Sequence, residues 1–223
     1  MMNVAIDGPA GAGKSTIARA AAKALGYIYV DTGALYRAVG VYSLRKGFDT
    51  KNAAAVESTL PDIQVELRFF DGVQHVLLNG EDVSEEIRTP AASMAASDVS
   101  AVPAVRQFLF DLQRDIAKKN DCIMDGRDIG TVVLPKAQVK IFLTAEAEAR
   151  AGRRFLELQE KGTKDTYEAV LADLKARDYN DSHRAVAPLK PAADSILVDT
   201  TDLTLAESVE KVTEVIKEHM EQK

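Results

Sequence analysis

Residues Val4 to Thr16, reading Val-Ala-Ile-Asp-Gly-Pro-Ala-Gly-Ala-Gly-Lys-Ser-Thr, constrain this chain more than any other stretch. Apolar residues lead into a loop with glycines at 8, 11 and 13, and an Ala-rich helical segment follows. The spacing Gly8-x4-Gly13-Lys14-Ser15 is the P-loop pattern. Its residue types follow from what a phosphate requires. Glycines let backbone N–H groups approach phosphate oxygens with no Cβ in the way. The helix that follows adds its positive N-terminal end. Lys14 can reach the outer phosphates, and the Ser15 hydroxyl is the expected Mg²⁺ ligand. The stretch therefore reads as a nucleoside triphosphate site made of Gly8, Pro9, Ala10, Gly11, Ala12, Gly13, Lys14, Ser15 and Thr16.

The rest of the chain alternates short apolar runs with helical periodicity. Ile17, Ala21 and Leu25 share a face of a helix over 14–25, which Gly26 stops. A strand over 27–30 ends at Asp31, and a helix over 32–46 closes at Gly47, with Arg37 turned away from its apolar face. Further helices are expected at 90–97, 103–119, 145–160, 165–180 and from Thr204, and further strands at 121–125, 139–143 and 195–199. Asp165 with Glu168, and Thr204 with Glu207, have capping-box spacing. This order predicts an α/β fold: a P-loop three-layer sandwich with a five-stranded parallel sheet.

Between about 60 and 88 the pattern changes to period-2 alternation (Ile63, Val65, Leu67, Phe69), punctuated by Asp71-Gly72 and Asn79-Gly80 turns. It predicts a small antiparallel insertion, spanning about 60–100, in one domain of 223 residues. His75 within it reads as a surface residue.

The formal net charge of −6 argues against a surface dedicated to nucleic acid or anionic lipid. Cys122 is the single cysteine, so there is no internal disulfide and no multi-cysteine zinc site, and its apolar neighbours predict a buried, inert thiol. No apolar run approaches 18 residues and no signal pattern opens the chain, which predicts a cytoplasmic protein. Nothing in the sequence demands an oligomer, so a monomer is expected.

Ligands of open α/β sheets gather beyond the carboxyl ends of the strands. Those ends carry the P-loop, Asp31-Thr32-Gly33 with Arg37, and Asp125-Gly126-Arg127-Asp128. Arg37, Arg127 and Arg184 suit bidentate capture of phosphate oxygens. Arg150, Arg153 and Arg154 cluster on one helical stretch. They fit either a phosphate-facing group or a solvated face paired with Glu146, Glu148 and Glu157.

The combination of 8–16, Asp31-Thr-Gly-Ala-Leu-Tyr-Arg37, Asp125-Gly-Arg-Asp-Ile-Gly-Thr-Val-Val133 and Arg177-Asp-Tyr-Asn-Asp-Ser-His-Arg184 resembles the bacterial cytidylate kinases over essentially the whole chain. The resemblance implies transfer of the γ-phosphoryl of ATP to CMP or dCMP with Mg²⁺ held at Ser15, and no nucleic-acid or membrane partner. It implies that Arg37, Arg127 and Arg184 clamp the acceptor phosphate, that Thr32, Arg106 and Asp128 read the cytosine, and that Ser97, Asp181 and Arg184 meet the sugar. Many relatives have Ser where this chain has Thr32. Arg150, Arg153 and Arg154 fall in a short lid, at about 148–163, that closes over the ATP phosphates. Lys14, Arg127, Arg184 and Arg154 are the expected catalytic charges, and Asp31 and Asp125 are candidates to orient waters around the metal. A kinase for another acceptor, such as a different monophosphate or shikimate, is the alternative enzyme. A nucleotide switch would need an Asn-Lys-x-Asp motif, which is absent.

Overall fold

A computed structural model describes residues 1–70 and 73–221. In chain order the elements are β1 (Asn3–Asp7), α1 (Lys14–Leu25), β2 (Ile28–Asp31), α2 (Thr32–Arg45), α3 (Ala53–Thr59), β3 (Val65–Phe70), β4 (Val73–Leu78) and β5 (Glu81–Asp82). There follow α4 (Pro90–Ser100), α5 (Pro103–Lys119), β6 (Cys122–Gly126), β7 (Val139–Thr144), α6 (Ala147–Glu160), α7 (Tyr167–His183), β8 (Ile196–Asp199) and α8 (Leu205–Glu221). The strands form a five-stranded parallel sheet of order β2-β6-β1-β7-β8 and a three-stranded sheet of order β3-β4-β5. The expected fold class is the observed one.

The chain divides into two compact units. The first spans Ile28–Asn120, and the expected insertion at about 60–100 lies wholly within it. Leu35 and Val39 of α2, Val99 of α4 and Leu109 of α5 pack with Val76 and Leu78 of β4 into one core. At Gly40 a Cβ would stand 2.7 Å from the Ala95 Cβ, so α2 and α4 approach closely with only the Ala95 methyl at that point. β3 and β4 pair antiparallel as their alternation predicts, and Asn79 (φ 51°) with Gly80 (φ 84°) turns β4 into β5. The Asp71-Gly72 turn lies outside the described residues. Arg45 at the end of α2 pairs with both Glu81 and Glu86, bracing this hairpin. The His75 ring Nδ1 lies 2.8 Å from Asp82 Oδ2, within hydrogen-bond distance.

The second unit joins residues 2–27 to 121–223. Its strands are parallel, with Ile6 opposite Asp125 on one side and Ile141 on the other, and Ile141 opposite Ile196. Val4, Ala5 and Ile6 of β1 and Cys122, Ile123 and Met124 of β6 have no exposed surface, as strands covered on both faces require. Burial raises the Cys122 thiol to about 12, so it is inert as expected. Among the described residues no helix is long and apolar enough to cross a membrane.

Most element bounds lie within a few residues of the sequence expectation, and those of α1 and α5 coincide with it. The start of α7 is a correction. Its N-cap is Thr166, whose hydroxyl accepts from the Ala169 N–H at 3.2 Å, and not Asp165. At α8 the capping box forms as expected: Thr204 Oγ1 accepts from the Glu207 N–H, and Glu207 Oε2 accepts from the Thr204 N–H at 2.8 Å. Beyond β6 the chain forms a π-helical turn over Ile129–Val133, in which the Leu134 N–H reaches back five residues to Ile129 O at 2.7 Å.

Candidate active site

In the second unit the strand β1 delivers the chain to the P-loop at Gly8. Its φ is 153°, and a Cβ there would lie 1.9 Å from Leu143 O on the neighbouring strand. Only glycine fits. Gly11 and Gly13 take left-handed φ of 72° and 79°, which turns the loop into α1. No side chain caps α1, so the N–H groups of its first turn are open to an anion. Lys14 is buried and its Nζ donates to Pro9 O at 2.7 Å. Burial first and the neighbouring Arg127 second lower its pKa to about 7, against the opposing pull of Asp125, Asp181 and Asp7. An arriving phosphate would add negative charge and favour the ammonium form.

Ser15 Oγ donates to Asp125 Oδ2 at 2.9 Å, Asp125 standing opposite Ile6 one residue before β6 ends. A hydroxyl beside a buried carboxylate is a donor set that suits a divalent cation with part of its water shell. Asp31, the other expected water-orienting carboxylate, is engaged within the first unit. It N-caps α2 by accepting from the Ala34 N–H at 3.0 Å and pairs with Arg37 at 2.6 Å.

Four further predicted residues form two pairs on the second unit. Arg127 Nε donates to Asp181 Oδ2 at 2.7 Å, and Arg184 Nη2 pairs with the buried Asp128 at 3.3 Å. Arg184 follows the end of α7, and its Nε donates to Ala187 O at 2.7 Å. Ala187 takes a left-handed φ of 50°, a conformation that costs an L-residue about 1 kcal/mol. The strained residue thus supplies the carbonyl that aims the guanidinium.

The three lid arginines part company. Arg150 is buried and donates to Ala10 O, Ala145 O and Asp178. Arg153 donates to the carbonyls of Thr200, Thr201 and Leu203, holding the turn after β8. Arg154 pairs with Glu157 at 3.0 Å on the exposed face. The phosphate-facing and solvated-face readings each describe one helix too uniformly, since its arginines have three different environments.

In the first unit, Thr32 opens α2 and is buried, while Arg37 leans back onto Asp31. Arg106 on α5 is largely buried with its guanidinium 5.8 Å from the Tyr36 ring, and its Nη1 donates to Ser100 O at 3.5 Å. Ser97 is exposed on α4.

Sequence reasoning missed Asp7, Gln74 and Asp178. Asp7 Oδ1 and Oδ2 accept from the N–H groups of Ile129 and Gly130 at 2.8 and 2.7 Å. Gln74 on β4 brackets the Asp31 peptide, accepting from its N–H at 2.9 Å and donating to its C=O at 3.4 Å. The only sequence signal for Asp7 was a charge at the end of an otherwise apolar strand.

A parallel sheet with a P-loop between its central strand and α1, and a carboxylate from the adjacent strand on the loop's serine, defines a P-loop nucleotide-binding protein of the kinase type. A gluconokinase from Sinorhizobium meliloti shares the fold, with a TM-score of 0.50 at 13% identity over 99% of this chain and 94% of that one. An uncharacterized protein from Eubacterium ventriosum is similar in fold at a TM-score of 0.51, 12% identity and full coverage of both chains. Sequence then narrows the class: this chain belongs to the cytidylate kinase family, whose model matches residues 4–218. It is 52% identical to the cytidylate kinase of Caldicellulosiruptor saccharolyticus, over 96% of this chain and 95% of that one. The cytidylate kinases of Lactobacillus johnsonii and Pasteurella multocida are 49% and 43% identical, covering 97% and 98% of this chain and 94% and 96% of theirs.

Proposed function

We propose that this chain transfers the γ-phosphoryl group of ATP to CMP or dCMP, giving ADP and CDP or dCDP. The observation that carries the reading is the buried Asp128–Arg184 pair on the same unit as the phosphate loop. Cytosine offers an N4 amino donor that a carboxylate accepts, whereas uracil places an oxygen there and leaves the carboxylate repelled. In this reading Thr32, Arg106 and Asp128 hold the base, Ser97, Asp181 and Arg184 the sugar, and Arg37, Arg127 and Arg184 the phosphate. Residues 8–16 hold ATP, with Arg150, Arg153 and Arg154 around it.

The attacking oxygen belongs to an acceptor phosphate already ionised at neutral pH, so no general base is needed. Lys14, Arg127, Arg184 and Arg154 neutralise the charge that spreads over the phosphoryl group in flight. Ser15 would ligate Mg²⁺ and Asp125 would order its water, and the ion would supply neutralisation of phosphate charge. Every residue the reading uses comes from one chain, so a monomer suffices, working on small molecules in the cytoplasm.

The test is ADP release with ATP and Mg²⁺ in the presence of CMP, dCMP, UMP, AMP, GMP or no acceptor. Turnover is expected with CMP and dCMP and little with the rest. Asp128→Ala is expected to lower kcat/KM for CMP by roughly 100-fold and to narrow the preference over UMP. Equal rates with all acceptors, or ADP release without one, would sink the assignment.

A further inference from the structure

Ala10 sits in the phosphate loop, yet every group it has is engaged by the two helices after β7. Its methyl is buried in a cluster with Ala151 of α6 and Val170 and Leu174 of α7. Its N–H donates to Asp178 Oδ1 at 3.3 Å, and its C=O accepts from Arg150 Nη1 at 2.7 Å. The two side chains are themselves joined, Arg150 Nη2 to Asp178 Oδ2 at 2.7 Å. Arg150 Nε donates to Ala145 O at 2.8 Å, which fixes the guanidinium from the other side. A Cβ on Gly11 would meet Leu174 Cδ2 at 3.3 Å and Arg150 Cβ at 3.5 Å, so the next residue of the loop lies against the same helices.

Two physical consequences follow. A glycine-rich loop has many conformations to lose, and fixing one residue at both backbone groups removes part of that entropy before the ligand arrives. The second is electrostatic. Asp178 places a carboxylate on a loop that receives a polyphosphate, and Arg150, buried and only 2.7 Å away, cancels it. Its polar edge is then directed at Ala10, Ala145 and Asp178.

We propose that Arg150 and Asp178 are positioning residues of the phosphate loop, an ion pair that holds Ala10 by its N–H and C=O and so sets the loop for ATP. The proposal rests on reading the loop as the ATP site. Arg150 acts on the donor through the Ala10 peptide; direct capture of ATP phosphate by Arg150 is the competing account.

Two measurements on the full chain decide it. In the first, KM values for ATP and CMP are compared for wild type, Asp178→Asn, Arg150→Met and the double variant. Asp178→Asn is expected to raise KM for ATP about 5–20-fold while KM for CMP moves less than about twofold. Arg150→Met should be worse, because it leaves Asp178 uncompensated beside the polyphosphate, and adding Asp178→Asn to it should restore part of the loss. An Asp178→Asn enzyme with wild-type KM for ATP, or additive effects in the double variant, would overturn the proposal in favour of direct contact. The second needs no variant. Amide exchange in the nucleotide-free wild type should show Ala10 protected relative to Gly11 and Gly13; equal exchange would overturn it. A wild type without CMP-dependent turnover defeats the kinase reading instead, and the exchange result still decides the clamp.

Discussion

Asp7 is a charge placed where a charge is expensive, at the end of a fully covered strand. Burial and the neighbouring Asp128 raise its pKa to about 6, although two N–H donors and Lys14 pull the other way. Below pH 4 the carboxyl carries its proton in the folded and unfolded chain alike. Between about 4 and 6 the unfolded chain has released it and the folded chain has not, so this group's contribution to stability falls as pH rises. The shift from 3.8 to about 6 corresponds to roughly 3 kcal/mol once ionisation is complete. Asp7→Asn is expected to flatten that part of the curve, so urea midpoints of wild type and variant should diverge in the variant's favour between pH 4 and 7. Parallel curves would show that Asp7 titrates as an ordinary carboxylate. The two oxygens accept from Ile129 and Gly130, most strongly when the carboxylate is ionised, and this fixes the backbone next to Arg127 and Asp128.

At the scale of elements, the small antiparallel sheet acts on the larger architecture through Gln74. Its amide stands in for a strand partner at the Asp31 peptide, and Asp31 in turn caps α2 and holds Arg37. Gln74→Leu should remove both bonds, worth together about 1–2 kcal/mol, and raise KM for CMP several-fold without changing KM for ATP. An unchanged KM for CMP would mean that the sheet serves only the core of its own unit. Nothing in the sequence foretold this link, because Gln74 and Asp31 are 43 residues apart and neither has a distinctive neighbour. Local signals fared better. Gly26 marked the end of α1 because its left-handed conformation is a backbone consequence that needs no tertiary context. The short α3 went unseen although Asn52 caps it, its side chain accepting from the Ala55 N–H at 3.1 Å, because 7 residues carry too little periodicity to read; the α7 cap fell to Thr166 because two adjacent candidates compete for the same N–H groups. The candidate site divides along the same line. Motif residues such as Lys14, Ser15 and Asp128 could be named from spacing and resemblance. The partners that hold them came only with the fold.

At the scale of the molecule, a ligand that binds only the folded chain shifts the unfolding equilibrium. ATP at 100 times its Kd should add about 2.7 kcal/mol, which for a chain of this size raises Tm by roughly 5–11 °C. A thermal scan with and without ATP checks this, and the absence of any shift would contradict a donor site in residues 8–16. The two units offer separate reporters for such work, and the chain is already prepared for them. Its one thiol, Cys122, lies in the interior at the start of β6 and stays protonated far above neutral pH. Maleimide dyes therefore have no native target. A cysteine introduced at the exposed Met94 of α4 and another at the exposed Leu156 of α6 would place one fluorophore in each unit without first stripping the protein of its own sulfhydryl. Each dye would report ligand binding as a change in its own emission, in a background chemistry that the buried strand has already silenced.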